Sequence, residues 1–497
     1  MKQLCITQCQ KKPSITLKHL CMSFGLIIGF CMILTGCATV GPDYIPVEPD
    51  ALENWQAEMD GGLVAAQPDP ETLAHWWTVF KDPELSGLVE RAVNGNLDLQ
   101  MARSRIREAR ALRGISRASL FPVVDATAAA SKRRTIGSGN DREEIEFYTA
   151  GFDAGWEIDI FGGVKRSIEA SQADLETQQE NLRHVLISLM AEVALNYVEV
   201  RTFQARLDVT QANIKTQRET YDLNRSRYQA GIIGELALQE SLRSLESSRS
   251  IIPALETGLS AAKNRLAVLL GKSPGECSKE LVEIKPIPII PATVAVGIPA
   301  ETLRHRPDIR RAERSLAAQT ARIGVATADL YPKFRLFGTI GLESIDSGDF
   351  FDWNSRFWAI GPSVSWRIFD ANAIRQNIEV QSARQEQALI EYLATVLDAQ
   401  EEVENSLVAY AREQRRRDAL AKAVKAAQRA DLLARDRYQA GLDGFFNVLD
   451  TQRSLLLLQD ELNQSKGAVI ANLVRLYKAL GGGWEYSAMM EPSSSIQ

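Results

Sequence analysis

Between residues 148 and 160 every second position is apolar or small. Tyr148, Ala150, Phe152, Ala154, Trp156, Ile158 and Ile160 alternate with Thr149, Gly151, Asp153, Gly155, Glu157 and Asp159. A period of two sends successive side chains to opposite faces, so the stretch predicts a strand with one apolar and one polar face. Trp358, Ile360, Pro362, Val364, Trp366 and Ile368 repeat the pattern, alternating with Ala359, Gly361, Ser363, Ser365 and Arg367. Weaker alternation over Pro122–Ser131 and Lys333–Glu343 supplies partner strands, and polar stretches 131–144 and 344–355 close two hairpins.

The rest of the pattern is helical. Neither Gly nor Pro occurs over 164–230 or 372–440, and at 1.5 Å per residue each run would extend about 100 Å. Leu182, Leu186, Leu189, Val193, Tyr197 and Val200 step by three and four, which predicts a coiled-coil seam rather than a helix buried all round. Helices this long need partners along their length. The shorter stretches 97–120 and 234–270 suit an end-to-end packing against 164–230, with a bend in the second at Pro253 and Gly258.

These elements are written twice. Arg225-Ser226-Arg227-Tyr228-Gln229-Ala230-Gly231 recurs as Arg435-Asp436-Arg437-Tyr438-Gln439-Ala440-Gly441, 210 positions on. The same offset relates Leu120-Phe121-Pro122 to Leu330-Tyr331-Pro332, Trp156 to Trp366, and Asp98 with Ala102 to Asp308 with Ala312. We therefore divide the chain into a signal segment (1–36), an extended segment (37–84), a first repeat (85–271), a Pro-rich connector (272–300), a second repeat (301–484) and a tail (485–497). In the first repeat a helix, the hairpin 122–160, the long helix 164–230 and the helix 234–270 follow in order. In the second, a helix is followed by the hairpin 333–369, the long helix 372–440 and the helix 445–480.

The N-terminus changes the picture. A basic start with Lys2, Lys11, Lys12 and Lys18 precedes an apolar run, Cys21 to Leu34, too short to span a membrane. It ends in Leu34-Thr35-Gly36-Cys37, which resembles the bacterial lipobox and makes Cys37 a lipidation candidate; an ordinary signal peptide with an incidental cysteine is the alternative. Ala38 is not Asp, which under the lipoprotein rule directs the chain to the outer membrane. A lipid alone anchors without spanning. The mature chain retains only Cys37 and Cys277, so no intramolecular disulfide is expected. His19, His75, His184 and His305 lack metal-ligand spacing, and no metal or cofactor is expected. A formal net charge of −6 argues against a nucleic-acid partner.

Strands of this length, apolar on one face, suit a membrane β-barrel or an amphipathic soluble sheet packed on helices. Four strands cannot close a barrel, for which about eight are needed, and an open edge cannot face lipid. If the strands span a membrane, several copies share one barrel.

Taken together, the motifs resemble the TolC-like outer-membrane factors, specifically their NodT-type lipoprotein branch serving resistance-nodulation-division (RND) pumps. The resemblance rests on LTGCATVGPDY (34–44), Trp76-Trp77 with Phe80-Lys81-Asp82-Pro83-Glu84-Leu85, and Asn96-Leu97-Asp98-Leu99. It continues through Trp156-Glu157-Ile158-Asp159-Ile160-Phe161-Gly162, Arg304-His305-Arg306-Pro307-Asp308-Ile309, both RYQAG turns, and Tyr477-Lys478-Ala479-Leu480-Gly481-Gly482-Gly483-Trp484. It implies an α+β membrane protein: a homotrimer sharing a twelve-stranded outer-membrane barrel, four strands per protomer, continued by a periplasmic helical barrel built from the two tandem repeats. The implied partners are outer-membrane lipid, a periplasmic adaptor and an inner-membrane RND pump.

The resemblance also places Gly231, Gly234, Gly441 and Gly444 at hairpin tips that meet the adaptor, and Phe446, Asp450 and Arg453 at a periplasmic gate. Spacings of four and three put those three on one helical face. Three Asp450 carboxylates would form a ring, Phe446 an apolar plug, and Arg453 with Tyr438 the polar links of a closed state. An aromatic at 446 replaces the family's usual aliphatic residue. Glu240 and Arg243 are the first-repeat equivalents, and Glu240 would form an outer acidic ring. Without the resemblance, Asp450 and Arg453 read as a solvated pair on a helix surface rather than as a gate, and Arg415-Arg416-Arg417 as a solvated face. The expected function is passive conduction in a tripartite efflux system. The alternatives are a protein-secretion channel and, from another class, a periplasmic adaptor or structural coiled-coil lipoprotein. The lipobox favours drug or metal efflux over secretion, and no nucleophile–base set, metal cluster or phosphate loop points to an enzyme.

Overall fold

The computed structural model describes residues 39–48, 54–67, 69–136, 142–276, 280–297 and 299–483. Cys37 with the signal segment, Cys277, Trp484 and the tail lie outside the described residues. The elements in order are β1 (Leu63–Val64), α1 (Pro70–Ala74), a 3-10 turn (Trp76–Phe80), α2 (Pro83–Gly95), α3 (Leu97–Ala118), β2 (Val123–Ile136) and β3 (Arg142–Ile158). Then follow α4 (Gly163–Gln229), α5 (Glu235–Arg249), α6 (Ile251–Leu269), β4 (Val294–Ala295), α7 (Pro299–His305) and α8 (Pro307–Ala328). The chain continues through β5 (Lys333–Ser344), a 3-10 turn (Trp353–Ser355), β6 (Arg356–Ser365), α9 (Ala373–Gln439) and α10 (Phe445–Ala479). The long helices α4 and α9 are each 67 residues, and α3 and α8 are each 22. No helix among the described residues is long and apolar enough to cross a membrane.

The chain folds as two units. The first comprises residues 39–45, 111–173 and 317–386 and holds a four-stranded antiparallel sheet ordered β2-β3-β5-β6. The two hairpins join through β3 and β5, where Phe152 faces Ile340 and Trp156 faces Leu336. The register makes one apolar face across all four strands: Ala126, Phe152, Ile340 and Trp358 lie in one row. Much of that face is exposed, with Phe152, Ile340, Trp358, Ile360 and Val364 all open to the surroundings. The hairpin 131–144, read from sequence as a polar loop, is instead largely strand. Lys132 faces Glu146 and Arg134 faces Glu144 as ion pairs, and such opposite-charge pairs extend the ladder. Conversely Trp366 and Ile368 fall beyond the end of β6. Trp366 donates its indole N–H to the Leu330 carbonyl at 3.0 Å, as Trp156 does to Leu120 at 2.9 Å, so both repeats turn from helix into sheet by the same bond.

The second unit comprises the remaining residues and buries one large core. Here the seam predicted on α4 is too narrow. Leu186, Ile187, Met190, Ala191, Val193, Ala194, Tyr197, Val198 and Val200 are all buried, leaving Ser188, Glu192, Leu195 and Glu199 as the least covered stripe. The reason is that one core draws in residues of α2, α6, α9 and α10 together with Leu63, Leu281, Val294 and Val296 from non-helical chain. Arg201 donates to the Glu283 carbonyl at 2.8 Å and Gln204 to the Leu281 carbonyl at 3.0 Å. The connector also pairs in parallel with the N-terminal segment, Leu63 with Val294 and Val64 with Ala295. Around it, Trp76 stacks on Tyr477 at 5.7 Å, and Tyr197 donates to Asp82 at 2.6 Å.

Position 210 apart means the same role even where the residue differs. Asn96 donates to the Leu269 carbonyl at the end of α6, and Arg306 donates to the Ala479 carbonyl at the end of α10. The one large departure is the helix after the first turn. It breaks at Ser250 into α5 and α6, whereas α10 runs unbroken for 35 residues. Pro253 explains it: it has no N–H for the Arg249 carbonyl and its ring crowds that carbonyl, so the helix ends four residues upstream. Gly258, expected to contribute to the bend, stays helical. A Cβ there would lie 2.3 Å from the Phe203 ring, so this glycine seats an aromatic side chain.

Candidate gate at the paired helical turns

Both RYQAG segments end their helices alike. Gly231 and Gly441 take φ of 73° and 74°, the left-handed region that a side chain disfavours. Ile232 N–H donates to the Arg227 carbonyl and Leu442 N–H to the Arg437 carbonyl, each at 2.9 Å. Gly231 N–H donates to the Tyr228 carbonyl and Gly441 N–H to the Tyr438 carbonyl, which completes a Schellman ending in each repeat. Gly234 and Gly444 sit at the N-caps of α5 and α10 with φ of −75°, which any residue adopts. We therefore expect Gly441→Ala to cost about 1–2 kcal/mol of stability at the tip and Gly444→Ala about 0.5–1 kcal/mol, measured by thermal unfolding.

The two turns then diverge. Tyr438 is buried, 7% exposed, whereas Tyr228 is 40% exposed. The Tyr438 hydroxyl donates to Asn224 Oδ1 at 2.7 Å, and its ring lies 5.3 Å from that of Phe445. The Arg227 guanidinium stands 4.9 Å from the Tyr438 ring centre and donates to the Gln439 carbonyl at 3.3 Å. A cation on the last carbonyls of a helix opposes the negative end of its dipole, so the first turn caps the second. Nothing reciprocates: position 434, equivalent to Asn224, is Ala, and Arg437 pairs instead with Asp443 within its own turn at 2.6 Å.

After the second turn, Phe445, Val448, Leu449, Gln452 and Leu455 face inward. Phe446 is 70% exposed, and Asp450, Arg453 and Leu457 are exposed with it. The three residues singled out from sequence thus share the face that one protomer leaves uncovered. Tyr438 is not among them, since it turns to Asn224 rather than toward Arg453. In the first repeat Leu236 and Arg243 are exposed and Glu240 is half-buried, the same stripe one repeat earlier.

Sequence reasoning missed Asn224, Arg227 and a polar layer further up the same helices. Asp431, almost fully buried, pairs with Arg435 at 2.6 Å and faces a cleft of about 300 Å³ shared with Asn213, Gln217 and Gln452. Burial pushes the Asp431 carboxyl up, and Arg435 opposes that only in part. The only sequence signal was Asp431 four residues before Arg435 on a face otherwise due to be apolar. Among the described residues no group of three or more His, Cys, Asp or Glu is placed to hold a metal ion.

Comparison with known proteins agrees with this architecture. The model of the family "Outer membrane efflux protein" matches residues 88–272 and 298–482, two segments that begin and end 210 positions apart. Nodulation protein T of Rhizobium leguminosarum bv. trifolii is 33% identical over 464 residues, 92% of this chain and 96% of that protein. The pyoverdine export outer membrane protein OpmQ of Pseudomonas aeruginosa is 30% identical, covering 92% and 96%. Among solved structures, the outer-membrane channel OprN superposes with a TM-score of 0.84 at 34% identity, over 90% of this chain and all of that one. The open state of the Neisseria gonorrhoeae outer-membrane channel MtrE gives 0.81 at 28%, over 90% and 99%. With both repeats matched and relatives spanning nearly its whole length, the chain belongs to the outer membrane efflux protein family and has the fold of its channels.

Proposed function

We propose that three copies of this chain close one passive conduit across the outer membrane and into the periplasm, anchored by a lipid on Cys37. It receives substrate from a periplasmic adaptor and an inner-membrane RND pump. The observation that carries this reading is a match of open edges. In the sheet unit the free edges are β2, which follows α3, and β6, which precedes α9. In the helical unit, Ile106 and Ala109 of α3 pack on Leu175 of α4, Arg314 of α8 pairs with Glu176 of α4, and Ile309 of α8 joins Tyr392 and Val396 of α9. That order leaves α3 and α9 outermost. Residues 97–110 of α3 expose Leu97 and Met101 among Arg105, Arg107 and Arg110, while α9 exposes Ile390, Leu393 and Leu397 among Glu391, Asp398 and Glu401. Apolar stripes flanked by opposite charge suit head-to-tail contacts between identical copies, which close a ring. Three copies supply twelve strands, enough for a barrel, whereas one supplies four.

In this reading Phe446, Asp450 and Arg453 face the axis, with Glu240 in an outer ring, and the turns at Gly231–Gly234 and Gly441–Gly444 meet the adaptor. The Tyr438–Asn224–Arg227 cluster holds the second hairpin to the first and keeps the conduit narrow. Transport then requires no reaction from this chain, only a passage whose width the hairpins set. The test is assembly and conductance. The purified protein should run as a heat-labile trimer, and Asp450→Ala should raise its conductance in planar bilayers by relieving the carboxylate ring at the constriction. An unchanged conductance would remove Asp450 from the gate, and a soluble monomer after Cys37→Ser would remove the channel itself.

A further inference from the structure

Residues 39–44 are locked onto the sheet unit. Val40 N–H donates to the Phe161 carbonyl at 3.1 Å, three residues beyond the end of β3. Arg166, in the first turn of α4 and only 3% exposed, donates to the Val40 carbonyl at 3.2 Å and the Gly41 carbonyl at 3.3 Å. It also pairs with Asp43 at 2.6 Å and Glu169 at 2.8 Å. Glycines make the slot. Gly41, at φ 86°, would place a Cβ 2.4 Å from Gly324 Cα, and one on Gly162, at φ 78°, would lie 2.7 Å from the Thr39 methyl. A Cβ on Gly324 would meet the Arg166 side chain at 2.8 Å. Tyr44 completes the dock against Ala173, Ala317 and Ala318.

Helix stability does not explain Arg166. A cation in the first turn of a helix sits at the wrong end of the dipole. The equivalent position in the second repeat, which has no such segment to hold, is an exposed Gln376. We propose that this clamp is a depth gauge for the lipid anchor: Arg166 fixes the segment behind Cys37 against the end of β3, so that the acyl chains enter the membrane at a set height beside the sheet. Only Ala38 and Thr39 separate Cys37 from Val40, three Cα–Cα steps with a reach of at most about 11 Å. A slack tether would retain the protein at the membrane without setting that height. The inference rests on the lipid and barrel reading above and adds Arg166 as a positioning residue.

The test compares insertions of Gly-Ser-Gly-Ser between Ala38 and Thr39, ahead of the clamp, and between Ala51 and Leu52, behind it. Palmitate labelling, heat-labile trimer and resistance to alkaline extraction are read on each. The front insertion and Arg166→Ala should be labelled like the wild type yet lose membrane-inserted trimer several-fold. The rear insertion and Gln376→Ala should match the wild type. Because a gauge without an anchor has nothing to position, Arg166→Ala should add no further loss to Cys37→Ser. Equal effects of the two insertions, or additive losses in the double variant, would overturn the gauge. Absence of label from the wild type would overturn the lipid reading itself, and the gauge with it.

Discussion

Channels carrying Arg227→Ala together with Tyr438→Phe will conduct far more readily than the wild type. The double change removes the Tyr438–Asn224 hydrogen bond at 2.7 Å and the guanidinium over the Tyr438 ring, the first contributing about 1 kcal/mol and the second about 0.5–1. A loss of about 1.5–2 kcal/mol per protomer corresponds to roughly 10–30-fold in a closed-to-open equilibrium. Tyr438→Phe alone keeps the ring against Phe445 and should give a smaller rise. The control is built into the repeat: Tyr228→Phe alters an exposed ring with the same sequence context and should change nothing. Equal responses at 228 and 438 would mean that the asymmetry of the turns has no part in gating.

The second large effect concerns stability rather than passage. Arg306 is buried among the Ala479 carbonyl, Asp308 at 2.7 Å and Glu402 at 2.7 Å. Arg306→Ala leaves the Ala479 carbonyl and Asp308 without their cation, while Glu402 keeps Lys478 at 3.6 Å, and removing one partner of a buried pair costs about 3–5 kcal/mol. Asn96→Ala, at the equivalent position but uncharged, should cost about 1–2 kcal/mol. The pH dependence distinguishes them. Asp308 is buried, which raises its carboxyl, but Arg306 overrides this and holds it below the usual carboxylate value of 3.8. The pair's contribution is therefore complete above that value and lost as pH falls through the lowered one. In Arg306→Ala burial opposes the Asp308 charge with only the Ile309 N–H, at 3.0 Å, and His184 still favouring it, so the charge becomes harder to hold at neutral pH and mild acid should return part of the lost stability. Thermal unfolding of both variants between neutral and acidic pH measures this; parallel curves would contradict it.

Much of the fold was legible because the repeat writes each element twice. Trp156 and Trp366, or the two RYQAG turns, confirm one another in a way that a single strand or turn does not. What the pattern could not show was long-range wrapping. Val193 and Tyr197 read as a seam because α4 was considered alone, and the cover over its other sides comes from residues far along the chain, Leu85, Leu266, Leu281, Leu407 and Tyr477 among them. The hairpin ladder of Arg134 and Glu144 was read as loop since charges usually are, and only cross-strand register reveals them as a pair. At the candidate gate, the spacing of Phe446, Asp450 and Arg453 showed only that they share one helical face, and the resemblance supplied the role. Asn224 and Arg227 were not legible, because their partner Tyr438 lies over 200 positions away and both tyrosines sit in the same RYQAG segment.

The central claim is a passive channel, closed by the second hairpin, and single-channel recording of the purified full-length protein in planar bilayers tests it most directly. The wild type should insert as a trimer and conduct poorly, with conductance rising in Asp450→Ala and rising further in Arg227→Ala with Tyr438→Phe. A protein that inserts but conducts equally in all three forms would contradict the gate, and one that never conducts in any form would contradict the channel.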